Sequence, residues 1–391
     1  MSQAALVPKL RFSEFSDDWE EKRFVDITTK ISDGIHSTPN YDEGGTYSFV
    51  NGNNLVNGVI KINSQTKKVD ENEYTTHQRP LGSNTILISI NGTIGNLALY
   101  NNEKVVLGKS ACYLNINEKD TDKLYVFNLL RTCKIKRFFN SELTGSTIKN
   151  LSLTTIKNTK LNLPTKPEQQ KIAAFLTAVD TKIEQLSKKQ ELLGEYKKGS
   201  MQQIFSQAIR FKADDGSDFP DWKEKKLGGV GRIRKGSQLN KSELTDTGDY
   251  PAINGGINPS GYTDKWNTGK NTITISEGGN SCGYINFITS KFWSGGHCYS
   301  IEELKGDVLN RFLFQYLKFN EHLIMRLRVG SGLPNIQKGE INNFKVNLPS
   351  LEEQTKIANL LSSIDSKIEQ VGKQLRESKQ FKKALLQQMF V

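Results

Sequence analysis

Cysteine and histidine are scarce, four of each in 391 residues. The cysteines Cys112, Cys133, Cys282 and Cys298 form no C-x-x-C pair and the histidines form no cluster. Neither a disulfide framework nor a structural zinc centre is therefore expected. No apolar run approaches the ~18 residues of a membrane span, and nothing resembles a secretory leader. The expectation is a soluble cytoplasmic chain with no membrane contact. Catalytic signatures are also wanting. Gly228-Gly229-Val230-Gly231 completes neither a dinucleotide fingerprint nor a P-loop, and there is no H-E-x-x-H. The glycine loop and Asn/Asp-Pro-Pro-aromatic tetrapeptide of amino-methyltransferases are absent. Pro220-Asp221 with Glu224-Lys225-Lys226 has the letters of an acidic nuclease motif. Its gap is too short to set two carboxylates on adjacent strands around a metal. The chain reads as a binder, with no catalytic residue, metal or cofactor of its own.

Against these absences stands a duplication. Residues 161–185 read LNLPTKPEQQKIAAFLTAVDTKIEQ, and residues 346–370 read VNLPSLEEQTKIANLLSSIDSKIEQ. A constant offset sets Leu163 on Leu348 and Gln185 on Gln370. Weaker matches spread on both sides. Leu10-Arg11-Phe12 matches Ile209-Arg210-Phe211, Trp19 matches Trp222, and Asn84-Thr85-Ile86 matches Asn271-Thr272-Ile273. Cys112-Tyr113 is set on Cys298-Tyr299, and Met201–Phe205 on Leu386–Phe390. The repeat is half the chain, far longer than a solenoid unit, so a whole domain plus spacer is duplicated in a cyclic plan.

The repeated segments predict long helices. Ile172, Leu176, Val179, Ile183 and Leu186 recur at alternating spacings of four and three, as do Ile357, Leu361, Ile364, Ile368 and Val371. That is a heptad seam, which needs a mate, and the other copy is the obvious one. Thr165 with Glu168 and Ser350 with Glu353 have capping-box spacing. Gly194 and Gly199 could bend the first helix. The domain expectation is therefore 1–163, a β-rich domain; 164–208, a spacer helix; 209–348, a second β-rich domain; and 349–391, a second spacer. The class is α+β, with two antiparallel coiled-coil helices joining the two domains in internal pseudo-two-fold symmetry.

The β-rich domains alternate short strands with Gly/Asn turns. Each is expected to end in one short helix, over 125–139 and 309–327. The net charge of +11 is spread evenly along the chain, which suits a polyanionic partner and equally suits plain solubility. Asn and Gln can read adenine edges, and Lys and Arg guanine edges or phosphates. In the first domain the candidates are Asn51, Asn53, Asn54, Asn91 and Thr93, the basic Lys67, Lys68 and Lys109, and Ser146 and Thr147. In the second they are Arg234, Lys235, Asn254, Glu277, Asn280 and His297, then Ser331 and Asn335. Taken singly, an Asn-Gly turn is more readily hairpin chemistry. A DNA reader, a protein-binding adaptor and a self-contained modification or nuclease enzyme stay open on these residues, although the missing motifs weigh against the enzyme.

Taken together the chain resembles the DNA-specificity (S) subunits of type I restriction-modification systems. The carriers are Pro8–Phe12 with Trp19, the LPxxxEQxKI segments Leu163–Ile172 and Leu348–Ile357, the motifs Asp180–Glu184 and Asp365–Glu369, and the two-fold plan. The resemblance implies two target recognition domains, each reading one half of an interrupted site in double-stranded DNA. It implies an antiparallel coil that sets the gap between the halves. Two modification subunits carrying S-adenosylmethionine would dock on the helices. Two restriction subunits would supply ATP- and Mg-dependent translocation and cleavage. None of that chemistry would belong to this chain.

Overall fold

The computed structural model describes Val7–Val391 except Ser331. It divides into two compact units, Met1–Ser187 with Lys373–Val391, and Lys188–Gly372. Among the described residues no helix is long and apolar enough to cross a membrane.

The first unit is built on a four-stranded antiparallel sheet in the order Thr28–Asp33, Ala111–Ile116, Thr85–Ser89, Leu97–Leu99. Successive side chains point to opposite faces, and both faces are covered. Ile86, Ile88, Cys112 and Leu114 join the main core, while Leu87, Ala111 and Tyr113 face a second cluster with Val50 and Leu55. A smaller sheet pairs Tyr47–Val50 antiparallel with Lys68–Val69 and parallel with Val105–Leu107. Glu20–Arg23 pairs with Lys160–Leu163, clasping the start of the domain to the strand that enters the first long helix. The single helix expected over 125–139 is two, Lys123–Leu130 and Cys133–Ser141. Thr132 causes the break, because its hydroxyl accepts from the Ile135 amide and so starts a new helix.

The second unit repeats the plan. Its four-stranded sheet runs Arg232–Lys235, Cys298–Glu302, Thr272–Ser276, Ile285–Ile288, and its clasp pairs Lys223–Lys226 with Lys345–Leu348. The helix expected over 309–327 also divides, into Asn310–Phe319 and Glu321–Arg326. One sequence match shifts by a residue. Cys298 lies opposite Ser276 and Tyr299 opposite Lys235, whereas Ala111 lies opposite Ser89 and Cys112 opposite Asp33. Gly34 donates to the carbonyl of Ala111 as Gly236 does to that of Cys298. Ala111-Cys112 is therefore the counterpart of Cys298-Tyr299. A one-residue slip exchanges the faces of a sheet, and the cores agree with the shifted pairing: Cys112 and Tyr299 lie in the main cores, Cys298 in a side cluster.

The long helices are Lys166–Phe205 and Leu351–Gln388. Gly194 and Gly199 lie within the first, and among the described residues no atom beyond the adjacent backbone of the helix approaches within 4 Å of where a Cβ would stand at either. In the first unit Ile172 and Leu176 are buried with Leu385, Met389 and Phe390, and Val179 packs on that core. In the second, Ile357, Leu361 and Ile364 are buried with Met201, Ile204 and Phe205, and Ile368 packs on it. Ile183 is half-buried, while Leu186 and Val371 are buried.

Candidate nucleic-acid interface

In the second unit the loops carrying His297 and Pro334–Ile336 converge on Glu277. Its carbonyl accepts from the Ile336 amide, its own amide donates to His297, and Gly279 donates to the Pro334 carbonyl. Its side chain is buried, and Oε1 accepts from Lys235 Nζ at 2.5 Å and from the Tyr299 hydroxyl at 2.9 Å. Among the described residues Oε2 has no hydrogen-bond partner, and His297 Nδ1 stands 3.4 Å away. Burial alone would raise this carboxyl; the Lys235 ammonium and the Tyr299 hydroxyl outweigh it and hold the group below the usual carboxylate range. Burial, then Glu277, pushes the Tyr299 hydroxyl above its ordinary value. The tips of Lys235 and His297 remain exposed, so an interior carboxylate anchors an outward-facing ammonium, with the His297 ring beside it. Asn254 is a strut: its Oδ1 accepts from the His297 amide, and a Cβ at Gly295 would lie 2.4 Å from that oxygen. Asn280 and Asn335 are exposed beside this cluster. Arg234 is turned inward, donating to the Asn267 carbonyl and pairing with Glu302. Ser331 lies outside the described residues.

The first unit assembles the same loops with different chemistry. Ile90 stands in the place of Glu277, its carbonyl accepting from Leu151, and Gly92 donates to the Lys149 carbonyl. Asn51 is the strut, accepting from the Ser110 hydroxyl at 2.9 Å, and Asn54 accepts from the Asn51 amide. Asn91 donates from its side chain to Asn150. Asn53, Lys67, Lys68, Thr93, Lys109, Ser146 and Thr147 are exposed. Asn51, Asn53, Asn54 and Lys67 line one polar groove of about 320 Å³ together with Tyr41, Lys61, Asn63 and Gln65. No local motif marks Tyr41 or Gln65 as a binding residue. Lys67 lies 4.1 Å over the Tyr41 ring, a contact between residues far apart in the chain.

A G-x-S-x-G nucleophile motif, read from the sequence as absent, is present. Gly279-Asn280-Ser281-Cys282-Gly283 spells G-x-S-x-G. A nucleophile elbow is a strand-to-helix turn, whereas this segment joins the antiparallel strands Thr272–Ser276 and Ile285–Ile288. The Ser281 hydroxyl donates to the Gly255 carbonyl at 2.7 Å. It serves as a loop brace.

The repeated motifs form the joint between each domain and its helices. Arg11 binds Glu168 through two nitrogens, both at 2.8 Å, and Arg210 binds Glu353 at 3.2 and 2.7 Å. Both glutamates are buried. These carboxylates thus meet a distant guanidinium instead of closing the expected capping boxes, although the Glu353 amide does donate to the Ser350 hydroxyl. Gln169 accepts from the Asp122 amide and donates to the Pro164 carbonyl; Gln354 accepts from the Leu309 amide and donates to the Pro349 carbonyl. Asp180 pairs with Arg131 and Lys382, and Asp365 pairs with Lys197 at 2.7 Å and accepts from Gln315. Burial lowers the Lys382 ammonium, and Asp180 partly offsets that. Leu10 donates to the Gln388 carbonyl as Ile209 does to that of Gln203. The contacts of Glu168 and Asp180 place the two helix segments of the first unit antiparallel, and those of Glu353 and Asp365 do the same in the second.

The family model for the type I restriction modification DNA specificity domain matches residues 16–193 and 220–377. The chain is 28% identical over 403 residues to a Methanocaldococcus jannaschii chain provisionally assigned as the type I restriction enzyme MjaX specificity subunit, covering 97% of this chain and 94% of that one. It is 26% identical over 409 residues to the type I restriction enzyme MjaVIII specificity subunit of the same organism, covering 95% and 91%. The crystal structure of the type I restriction-modification S subunit from M. genitalium has the same fold, with a TM-score of 0.69 at 21% identity over 99% of each chain. Duplicated sheets, duplicated joints and a family match spanning both halves place this chain in the type I restriction-modification DNA specificity family.

Proposed function

We propose that the two β-rich domains read the two halves of an interrupted site in double-stranded DNA, and that the long helices set the gap between them. The observation that carries this reading is the duplicated loop cluster, in which each unit presents exposed amides and cations on a braced frame. Two copies with different chemistry, Glu277 against Ile90 and Lys235 against Asp33, suit two different half-sites. The even excess of positive charge favours the phosphate backbone. Two modification subunits would dock on the helices, where Tyr196 and Phe381 are exposed at matching repeat positions. Those subunits would carry S-adenosylmethionine and methylate adenine. Two restriction subunits would bring ATP, Mg and cleavage. This chain would contribute recognition and assembly.

The test is methylation mapping of a genome in cells holding the modification subunit with and without this chain. A split motif that appears only with the chain is the expected result. A motif independent of the chain, or one continuous motif, would overturn the reading. Exchanging residues 12–160 for those of a relative should change one half of the motif and leave the other half and the gap intact.

A further inference from the structure

Among the described residues the two most exposed large apolar side chains are Leu333, at 86%, and Ile148, at 61%. They occupy equivalent places, each near the tip of a tight loop closed by an isolated bridge, Thr144 to Asn150 in one unit and Val329 to Asn335 in the other. Each bridge is doubly bonded. Thr144 and Asn150 exchange main-chain hydrogen bonds at 3.0 and 2.9 Å, and Val329 and Asn335 at 2.8 and 3.0 Å. Gly145 and Gly330 turn these loops with φ of +88° and +94°. A Cβ at Gly145 would come 2.3 Å from the Ile148 carbonyl oxygen, so the turn is specific to glycine. Each loop is also tied to the recognition cluster, through Gly92 to the Lys149 carbonyl and Gly279 to the Pro334 carbonyl. The backbone thus holds an aliphatic side chain out in solvent, twice, beside the loops that carry the exposed amides.

The surroundings favour nucleic acid over protein. An apolar docking site is contiguous. Here Ile148 is flanked by the exposed Thr144, Ser146, Thr147 and Lys149, and Leu333 by the exposed Arg328 and Asn335, with the exposed Val329 at the base of its loop. Hydroxyl, amide and cationic donors suit phosphates and sugars. An aliphatic side chain projecting from a loop tip among them suits insertion between base steps, as apolar wedges do when they unstack and bend a duplex. We propose that Ile148 and Leu333 are such wedges, one entering the DNA in each half-site. This inference rests on the reading of the loops as the DNA face.

The experiment uses the full chain assembled with its modification subunit and a duplex bearing the mapped site. Each adenine other than the methylated ones is replaced in turn by 2-aminopurine, and each cytosine by pyrrolocytosine. Binding should raise fluorescence at one step in each half. Ile148→Ala should abolish the rise in one half only and Leu333→Ala in the other half only, with assembly unchanged by light scattering. Both side chains are exposed, so both variants should fold, which thermal unfolding checks. Binding by the wild-type complex without any rise, or a rise kept in both variants, overturns the wedge alone. Variants that keep the rise but lose the modification subunit make these residues a protein contact and also overturn it. Failure of the wild-type complex to bind the duplex brings down the DNA reading and the wedge together.

Discussion

At the scale of single residues, the repeated glutamates show how far a local signal reaches. Thr165 to Glu168 has capping-box spacing, but the carboxylate turns to Arg11, 157 positions away. No window along the helix contains that partner. The arginine was visible as a repeated element, Arg11 matching Arg210, without any indication of what it grips. Removing one member of a buried pair leaves the other uncompensated and costs about 3–5 kcal/mol. Glu168→Ala and Glu353→Ala should each destabilise their own unit on that scale in urea unfolding, and a shift under ~1 kcal/mol would show the joint to be dispensable. Glu277 allows a test by pH. Its carboxyl lies below the ordinary value of 4.5 in the folded chain. The stability it gives is complete above that pH and is lost as pH falls through the lower, folded value. Glu277→Gln cannot ionise, so the variant should be less stable at neutral pH and show a shallower loss on acidification. Urea midpoints measured at neutral pH and near pH 3–4 check both signs.

At the scale of elements, legibility followed period and length. The long helices were readable because a heptad sustained over many turns admits few alternatives. The short helices at 123–141 were not divided in the sequence reading, since Thr132 is acceptable both inside a helix and as a cap. The sheet register was missed by one residue because Cys-Tyr occurs in both halves while the backbone pairs Cys112 with Asp33 and Tyr299 with Lys235. The seam is graded. Leu176 and Leu361 are fully buried, whereas Ile183 and Ile368 are half-buried. Leu176→Ala or Leu361→Ala should therefore cost about 2–5 kcal/mol, with Ile183→Ala and Ile368→Ala well below that in the same denaturant series. Gly194→Ala and Gly199→Ala should go the other way. Each site is open and helical, so each change should stabilise by roughly 0.5–1 kcal/mol. A loss of stability in either would mean that the helix relies on glycine there.

For the whole molecule the quantity that tests the proposed reading is the gap between the two half-sites. Four residues inserted after Gln185 and after Gln370 add about one turn, or roughly 6 Å, to each helix. DNA rises about 3.4 Å per base pair, so the gap should lengthen by one or two base pairs with both half-sites kept. Two-residue insertions turn a helix by about half a circle and should abolish methylation. An unchanged gap in the four-residue variant would assign the spacing to the bound subunits. One contact at the joint has a wider consequence. Gln169 and Gln354 hold their domains through main-chain amides and carbonyls, at Asp122 and Asp120 in one case and Leu309 and Asp307 in the other. A grip on the backbone is indifferent to side-chain identity. This part of the fastening therefore places no demand on what a domain recognises. A lineage could exchange one half for a foreign one and acquire a new target in a single recombination, with this socket already fitting.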